Sequence, residues 1–559
     1  MTAPDAVRPG SVELGAVWPD GLGELVWPAG SADVLARLAA EAWPDRVAVR
    51  AGDRTVTFAE LDAQVTRWAG VLRGLVGEGA VVAVAAVPGV ELPAAYHGVI
   101  RSGNVVAPVN PLLPEPAWPR LLGAVRARAV LLGPELAARL GPALRTLPHL
   151  HHILPLDPAQ SPTHLPPRSS SCCRQRRSTS DNNSMIVGMG ELAAIMFTSG
   201  STGPAKPVGL THRNLTAGAA QVGVAHGLSA GSVVLNGLPI YHPMHLNAGL
   251  LAGVTQVLAG SPDPAAAVRT AERHRASHFY ALPVQLARLA AHPELDRLRM
   301  PTVRVAATGG LALPPSTVDR LVGRFGFALL RGYGLTETAG LAHSELACSG
   351  LARSGLARSG LVRRPGPGPV GPALPGGETR VVDLETGAVL AAGQVGEVRV
   401  CGPQVFAGYA DRPGESPVDP DGWFGTGDAG YLDADGCLHV LDRVADLFRC
   451  GGELVSPSSL ERGLDGLAAV RECAVLGWAG DGADPVEGAV PAAFLVLAED
   501  GDPAGVLAAA NAALPPSQRI RRVEVLAELP RLPNGKLART ALRARLATAG
   551  ADGSPDSAH

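Results

Sequence analysis

Apolar positions along this chain follow two alternating rhythms. In SADVLARLAAEAW, which begins at residue 31, they recur at helical spacing, and DRVAVRAGDRTVTFAELDAQVTRWAGVL after it reads as strand, turn, strand and capped helix. VVAVAAV (81–87) is a continuous apolar run of the buried-strand kind, followed by a helical pattern to about Ser102 and a short strand, VVAPVN. The alternation resumes in ELAAIMFTSG, VVLNGLPIYHPMHLNAGLLAGV, AAAVRTAERHRASHFYALPVQLARLA, VRVAATGGLALP and FALLRGYGLTETAG. Strands alternating with helices imply a parallel sheet with helices on its faces, and ligands usually meet the short loops that follow such strands.

From 379 to 442 the text changes to short alternating strands with Gly and Asp turns: TRVVDLETG, GEVRVCG and GYLDADGCLHVLDR, where Asp435-Gly436 suits a hairpin. The expected fold is therefore a large α/β N-terminal domain over 1–442, with parallel-type sheets, helices and a small β-rich subdomain, followed by a small mobile α+β C-terminal domain over 443–559. Two stretches break the pattern. Residues 161–183, SPTHLPPRSSSCCRQRRSTSDNN, are polar, basic and aperiodic, and are expected to form a disordered surface loop. Residues 347–369 contain SGLAR twice and SGLVR once, a period far below the roughly 20 residues of a solenoid unit, and read as a surface insertion.

Composition alters this picture little. With 559 residues, 46% hydrophobic content and a net charge of −3, the chain resembles ordinary soluble globular proteins and lacks the basic excess that nucleic acid or an anionic membrane would call for. The N-terminus, MTAPDAVRPGSVELG, has no basic segment leading into an apolar core, and no apolar run reaches the roughly 18 residues of a membrane span. A cytoplasmic location is expected. The seven cysteines show no CxxC pair with metal-site spacing, which fits free thiols in a reducing compartment. One bias is informative: of 48 Lys and Arg side chains only two are lysine, Lys206 and Lys536. Where charge alone suffices this chain uses arginine, so both lysines mark places that need a compact ammonium on a flexible stem.

Lys206 closes TSGSTGPAK, in which Thr198, Ser199, Gly200, Ser201, Thr202 and Gly203 form a small-residue loop. Glycine tolerates the required turns and presents no Cβ, so N–H groups and hydroxyls can converge on an anion, here a polyphosphate. The spacing is not the G-x4-G-K-S/T of P-loop NTPases. Taken alone, the loop is equally a flexible Gly/Ser linker.

Six segments in chain order together resemble the adenylate-forming superfamily of acyl-CoA synthetases, luciferases and peptide-synthetase adenylation domains. They are TSGSTGPAK, TGGLALP, RGYGLTE, DGWFGTGDAGYLDADG, DRVADLFRCGGELVSPSSLE and LPNGK, and the likeness covers nearly the whole chain. The resemblance implies two half-reactions. A carboxylate attacks the α-phosphate of ATP to give acyl-AMP and pyrophosphate, and a thiol then displaces AMP. It further implies that residues 198–203, with Lys206, hold the β- and γ-phosphates, that Glu337 helps bind Mg2+, and that Thr336 sits near the α-phosphate. Tyr333, beside Gly334, would face adenine, with Gly310 and Leu311 on the other side. Asp428 and Arg443 would bind ribose, and Lys536 would reach the carboxylate and α-phosphate oxygens. Tyr241 and His242, in LPIYHPMH, would flank the acyl tunnel, Ala445 would be the hinge, and Gly451, Gly452 and Glu453 would form a loop on the thiol side. Read singly, Tyr333 is also a turn aromatic, Asp428 and Arg443 are surface charges, and His242 is a satisfied structural histidine.

Two departures matter. Pro207 stands where the family usually has glycine, so a backbone donor to phosphate is expected to be missing. Ala445 replaces the usual hinge Asp or Lys, so an altered domain swing is expected. No acidic residue stands near Tyr241 to bind an ammonium group, which disfavours an α-amino acid. The expected activity is ATP- and Mg2+-dependent ligation of a small non-amino-acid carboxylic acid to a thiol. The thiol would be that of CoA or the phosphopantetheine of a separate acyl carrier protein. A nucleotide-binding protein without turnover and a luciferase-like oxygenase are the competing readings.

Overall fold

A computed structural model describes residues 27–551 apart from 88, 157–191, 199–204, 239–242, 311–312, 346–367, 413, 480–487, 499–500, 513 and 532–536. Residues 161–183, most of the 347–369 repeat, and Ser199, Gly200, Ser201, Thr202, Gly203, Tyr241, His242, Leu311 and Lys536 lie outside the described residues. The described chain divides into two compact units, one of 27–198, 205–379 and 400–424, the other of 380–399 and 425–551.

The first unit is built on two sheets. In the seven-stranded sheet, Val81–Ala85 lies between Val105–Pro108 and Ala129–Leu132, parallel to both, and all its residues are buried. Burial on both faces explains why VVAVA is continuously apolar. The strand stops at Ala85, short of the 81–87 run, because Val84 meets Pro108 at the end of one partner, and Val87 is 67% exposed. Leu192–Phe197, Pro207–Thr211 and Gly408–Tyr409 complete one side of this sheet, the last two pairings being antiparallel. The eight-stranded sheet runs His343–Ser344, Ala328–Tyr333, Val305–Gly309, His278–Tyr280, Val233–Asn236, Thr255–Leu258, Val47–Ala51, Arg54–Thr57. It is parallel except for the antiparallel pair at each edge.

Local chemistry sets the helix starts. Thr57 accepts from the Glu60 N–H at 3.2 Å while Glu60 accepts from the Thr57 N–H at 2.8 Å, a capping box that opens Phe58–Val76. Thr211 and Asn214 do the same for His212–Ala225, and the Asn214 amide also donates to Pro403 O and Val405 O, each at 2.8 Å. That side chain ties the helix following the phosphate-type loop to the segment that leads into Tyr409.

The second unit combines a four-stranded sheet, Glu378–Val382, Gly396–Cys401, Phe424–Leu432 and Leu438–Arg443, with a smaller three-stranded sheet and the helices Pro457–Asp465, Pro503–Ala512 and Arg539–Ala551. Asp433 to Cys437 turn the Phe424–Leu432 and Leu438–Arg443 hairpin, with Gly436 at φ 74° as the Asp-Gly pattern requires. Parallel sheets with helices, a small β-rich part and a small α+β part accord with the expected fold class, while residues 380–399 and 425–442, expected with the large N-terminal domain, group with the second unit. Among the described residues no helix is long and apolar enough to cross a membrane.

The first unit also buries polar groups. Tyr96 and His97, on Glu91–Arg101, are fully enclosed, and Asn247 of Met244–Leu251 stands beside both without aligning for a hydrogen bond. Tyr96 Oη and both His97 ring nitrogens are therefore left without partners. Burial, with Arg101 adding to it against an opposing pull from Asp33, lowers the His97 pKa to about 4. Such an imidazole takes up a proton on unfolding, so its contribution is full above about 6.5 and is lost as pH falls toward 4. His97→Leu is expected to keep stability at pH 7 and to reduce the stability lost between pH 6.5 and 5 by about 1–2 kcal/mol. Thermal melting of both proteins across that range checks it, and parallel pH profiles would contradict it.

Candidate active site

The phosphate-type loop is closed at its base by two reciprocal hydrogen bonds. The Thr198 N–H donates to Lys206 O at 3.0 Å, and the Lys206 N–H donates to Thr198 Oγ1 at 2.9 Å. Residues 199–204 thus span the connection between the antiparallel strands Leu192–Phe197 and Pro207–Thr211, with Phe197 opposite Pro207. Pro207 fits here because it is the first residue of its strand, where a missing N–H is tolerated, and its carbonyl accepts from the Ala410 N–H at 2.8 Å.

Lys206 extends its ammonium over the ring of Tyr409, with Nζ 5.2 Å from the ring centroid. The Tyr409 hydroxyl donates to Glu337 Oε1 at 2.9 Å, and the Phe406 N–H donates to Glu337 O at 2.9 Å. Burial first, and then the adjacent Glu337 carboxylate, push the Tyr409 hydroxyl pKa upward, so it stays a donor at neutral pH. Glu337 is 9% exposed and sits in the short 3-10 turn Thr336–Thr338, which Thr338 closes through its hydroxyl. The turn is sharp: Ala339 takes φ 51°, and a Cβ on Gly334 would stand 1.8 Å from Gly340 O. Only glycine at 334 permits that approach.

The remaining first-unit candidates cap the parallel strands at their C-terminal ends, where open α/β sheets bind ligands. Tyr333 ends Ala328–Tyr333, its ring 6.2 Å from His343. Gly310, at φ 90°, follows Val305–Gly309, and in that strand Thr308 Oγ1 is buried without a partner. His343 is no candidate acid–base group: burial lowers its pKa to about 4, and its ring nitrogens meet Gly371 O and Thr379 Oγ1 at 3.0 and 2.6 Å.

In the second unit Asp428 and Arg443 face each other across the hairpin, with Arg443 Nε 2.8 Å from Asp428 Oδ1. Arg443 also donates to Thr426 O at 3.3 Å, and the Asp428 N–H donates to Thr426 Oγ1 at 3.1 Å. The two residues expected at the ribose thus form one ion pair. Ala445 lies in the turn Val444–Asp446 and its carbonyl accepts from Arg543 at 3.5 Å. The polar anchors absent from Ala445 are supplied by its neighbours. Asp442 accepts from the Ser456 and Ser458 hydroxyls, each at 2.5 Å, while Asp446 pairs with Arg543 and, at 3.9 Å, with Arg539. Gly451 and Gly452, at φ 59° and 80°, make the tight turn between Phe448–Cys450 and Glu453–Val455, and Glu453 accepts from the Ser517 hydroxyl.

Comparison with known proteins decides the family. The model of the AMP-binding enzyme family matches residues 36–410. The chain belongs to the AMP-binding enzyme family. It is 30% identical to a feruloyl-CoA synthase of Amycolatopsis sp over 528 residues, covering 90% of this chain and 96% of that protein. A long-chain-fatty-acid–CoA ligase of Bacillus subtilis is 26% identical over 534 residues, 89% and 92% of the respective chains. Among solved structures, ATP-bound MatB from Rhodopseudomonas palustris superposes with a TM-score of 0.77 at 27% identity, covering 92% of this chain and 99% of that one.

In this AMP-binding enzyme two residues that sequence does not single out stand beside the candidates: Tyr409, against Lys206 and Glu337, and Thr308, two positions before Gly310. Tyr409 carried a usable signal, being one of only six tyrosines and following a glycine. Its partner Glu337 lies 72 positions earlier, a separation no periodicity reports. Among the described residues no three His, Cys, Asp or Glu side chains cluster as a metal cage.

Gly334→Ala should destabilise the first unit by about 1–3 kcal/mol and weaken nucleotide binding, since backbone must move to admit the methyl. Melting and ATP titration check this, and an unchanged variant would contradict the tight hook at 334–340.

Proposed function

We propose that this chain activates a carboxylic acid other than an α-amino acid with ATP and transfers the acyl group to the thiol of CoA. The observation that carries the reading is a named feruloyl-CoA synthase, similar over 90% of this chain. The geometry supports it in three ways. Lys206 stands at the base of the Gly/Ser loop, Glu337 supplies a carboxylate for Mg2+, and the helix Met244–Leu251 beside the acyl-pocket segment carries no acid to hold an ammonium. The feruloyl-CoA and long-chain-fatty-acid relatives favour an aryl or acyl acid.

In the first half-reaction a carboxylate oxygen forms a bond to the α-phosphorus as the bond to pyrophosphate breaks. Charge shifts onto the pyrophosphate oxygens and is met by loop N–H groups, hydroxyls and Lys206. Bound Mg2+ supplies charge neutralisation at the phosphates. Thr336 lies one residue from Glu337 and is assigned to the α-phosphate. Tyr333, Gly334, Gly310 and Leu311 are assigned to adenine, Asp428 with Arg443 to ribose, and Lys536 to the attacking carboxylate. In the second half-reaction the thiolate sulfur bonds to the acyl carbon and AMP leaves with one of the original carboxylate oxygens. The segment from 443 onward is the lid that serves both steps, turning at Ala445, and residues 451–453 bound it on the thiol side.

A hydroxamate-trapping and pyrophosphate-release screen over fatty, aryl and small branched acids tests this. Acid-dependent, Mg2+-dependent pyrophosphate release is expected, and Lys536→Ala should lower it about 10²–10³-fold. ATP binding without release for any acid would instead mark a nucleotide-binding protein without turnover. With alanine at the hinge, thioester formation is expected to lag ATP–pyrophosphate exchange on the same acid, and equal rates would contradict a hinge effect. A thioester formed only with a carrier protein's phosphopantetheine would replace CoA as acceptor.

A further inference from the structure

One side chain of the first unit touches both charged groups assigned above to MgATP. Tyr409 offers its ring face to Lys206 and its hydroxyl to Glu337. Its backbone is fixed on both sides: the Ala407 N–H donates to Gly209 O at 3.0 Å and the Ala410 N–H to Pro207 O at 2.8 Å, with Tyr409 paired to Val208 between them. The ring packs at 5.1 Å, edge-on, against Phe406, which packs at 5.0 Å against Phe424. Phe406 in turn holds Glu337 through its main-chain N–H. Residues 406–410 therefore fix Glu337 by backbone and side chain and give Lys206 a resting place.

We propose that Tyr409 is a positioning residue that presets Lys206 and Glu337 for MgATP, a role that rests on the ATP-dependent reading above. An ionised carboxylate only accepts, so the hydroxyl is the donor, and one bond to Oε1 leaves acceptor capacity on the carboxylate for a cation. A lysine stem is rotamer-rich, and holding its ammonium over an aromatic face lowers the ordering cost when phosphate arrives. No side chain but tyrosine offers both a π face and a hydroxyl at this reach. Phenylalanine would keep the lysine contact and lose the carboxylate contact, so the two functions separate by substitution.

The test is calorimetric titration of the full chain with ATP, with and without Mg2+, alongside melting curves. Tyr409→Leu is expected to weaken MgATP binding about three- to fivefold, the size of an exposed cation–π contact. Measured with metal-free ATP, where the Glu337 contact does not count, the same change in a Lys206→Gln background should cost nothing further, which a merely structural role would not produce. Tyr409→Phe should leave metal-free ATP binding unchanged and raise about tenfold the Mg2+ concentration that half-maximally enhances it. It also decides the matter should the leucine variant fail to fold. Wild-type affinity and Mg2+ dependence in both variants, or an equal loss of metal-free ATP binding from Tyr409→Leu with and without Lys206, would overturn the proposal. Because binding is read without turnover, a chain that binds MgATP but activates no acid leaves this test intact. A wild-type chain that binds no MgATP overturns both readings.

Discussion

The strand Pro207–Thr211 is held along both edges, by Leu192–Phe197 on one side and Gly408–Tyr409 on the other. Much of the candidate phosphate site follows from that double pairing. It fixes where the Gly/Ser loop begins and ends, since Thr198 and Lys206 exchange two hydrogen bonds at the base. It sets the direction in which the next helix leaves, because Thr211 is both the strand's last residue and the helix cap. It also brings a tyrosine from more than 200 positions downstream to lie under Lys206. The proline at the strand start has no N–H to donate, and its carbonyl is used by Ala410 in the same pairing.

Charge in this protein is arranged for position more than for stability. The Lys206–Tyr409 contact is of the kind worth about 0.5–1 kcal/mol where exposed. The Asp428–Arg443 pair has an arginine side chain 42% exposed, and such partly solvated pairs contribute little net energy. What the pair does is hold both groups at one register of a hairpin. The turn at Ala445 follows the same logic. Ala445 has no polar group, yet Asp442 and Asp446 on either side of it anchor to serines and arginines of the second unit, so the turn is defined by its neighbours.

What the sequence disclosed was local or motif-bound. The capping boxes at Thr57 and Thr211, the Asp435-Gly436 hairpin and the buried VVAVA strand were legible because each depends on residues within a few positions. The family was legible because six motifs occur in order. What stayed hidden depends on tertiary contact: the union of Asp428 with Arg443, the unpartnered Thr308 hydroxyl, and the contacts of Tyr409 with Lys206 and Glu337. The end of the first buried strand was misjudged by two residues, since hydrophobicity continued past the point where partner strands stopped. The tight turn at Gly451 and Gly452, with positive φ at both positions, was likewise local: a Gly-Gly pair between two short strands.

The account stands on attack by a carboxylate oxygen at the α-phosphorus of ATP. Incubating the enzyme with an accepted acid labelled with 18O in its carboxylate, ATP and CoA, then weighing the nucleotide product, tests this directly. The account predicts one 18O atom in the phosphate of AMP, with unlabelled pyrophosphate. Label in inorganic phosphate, with ADP as the nucleotide product, would contradict it.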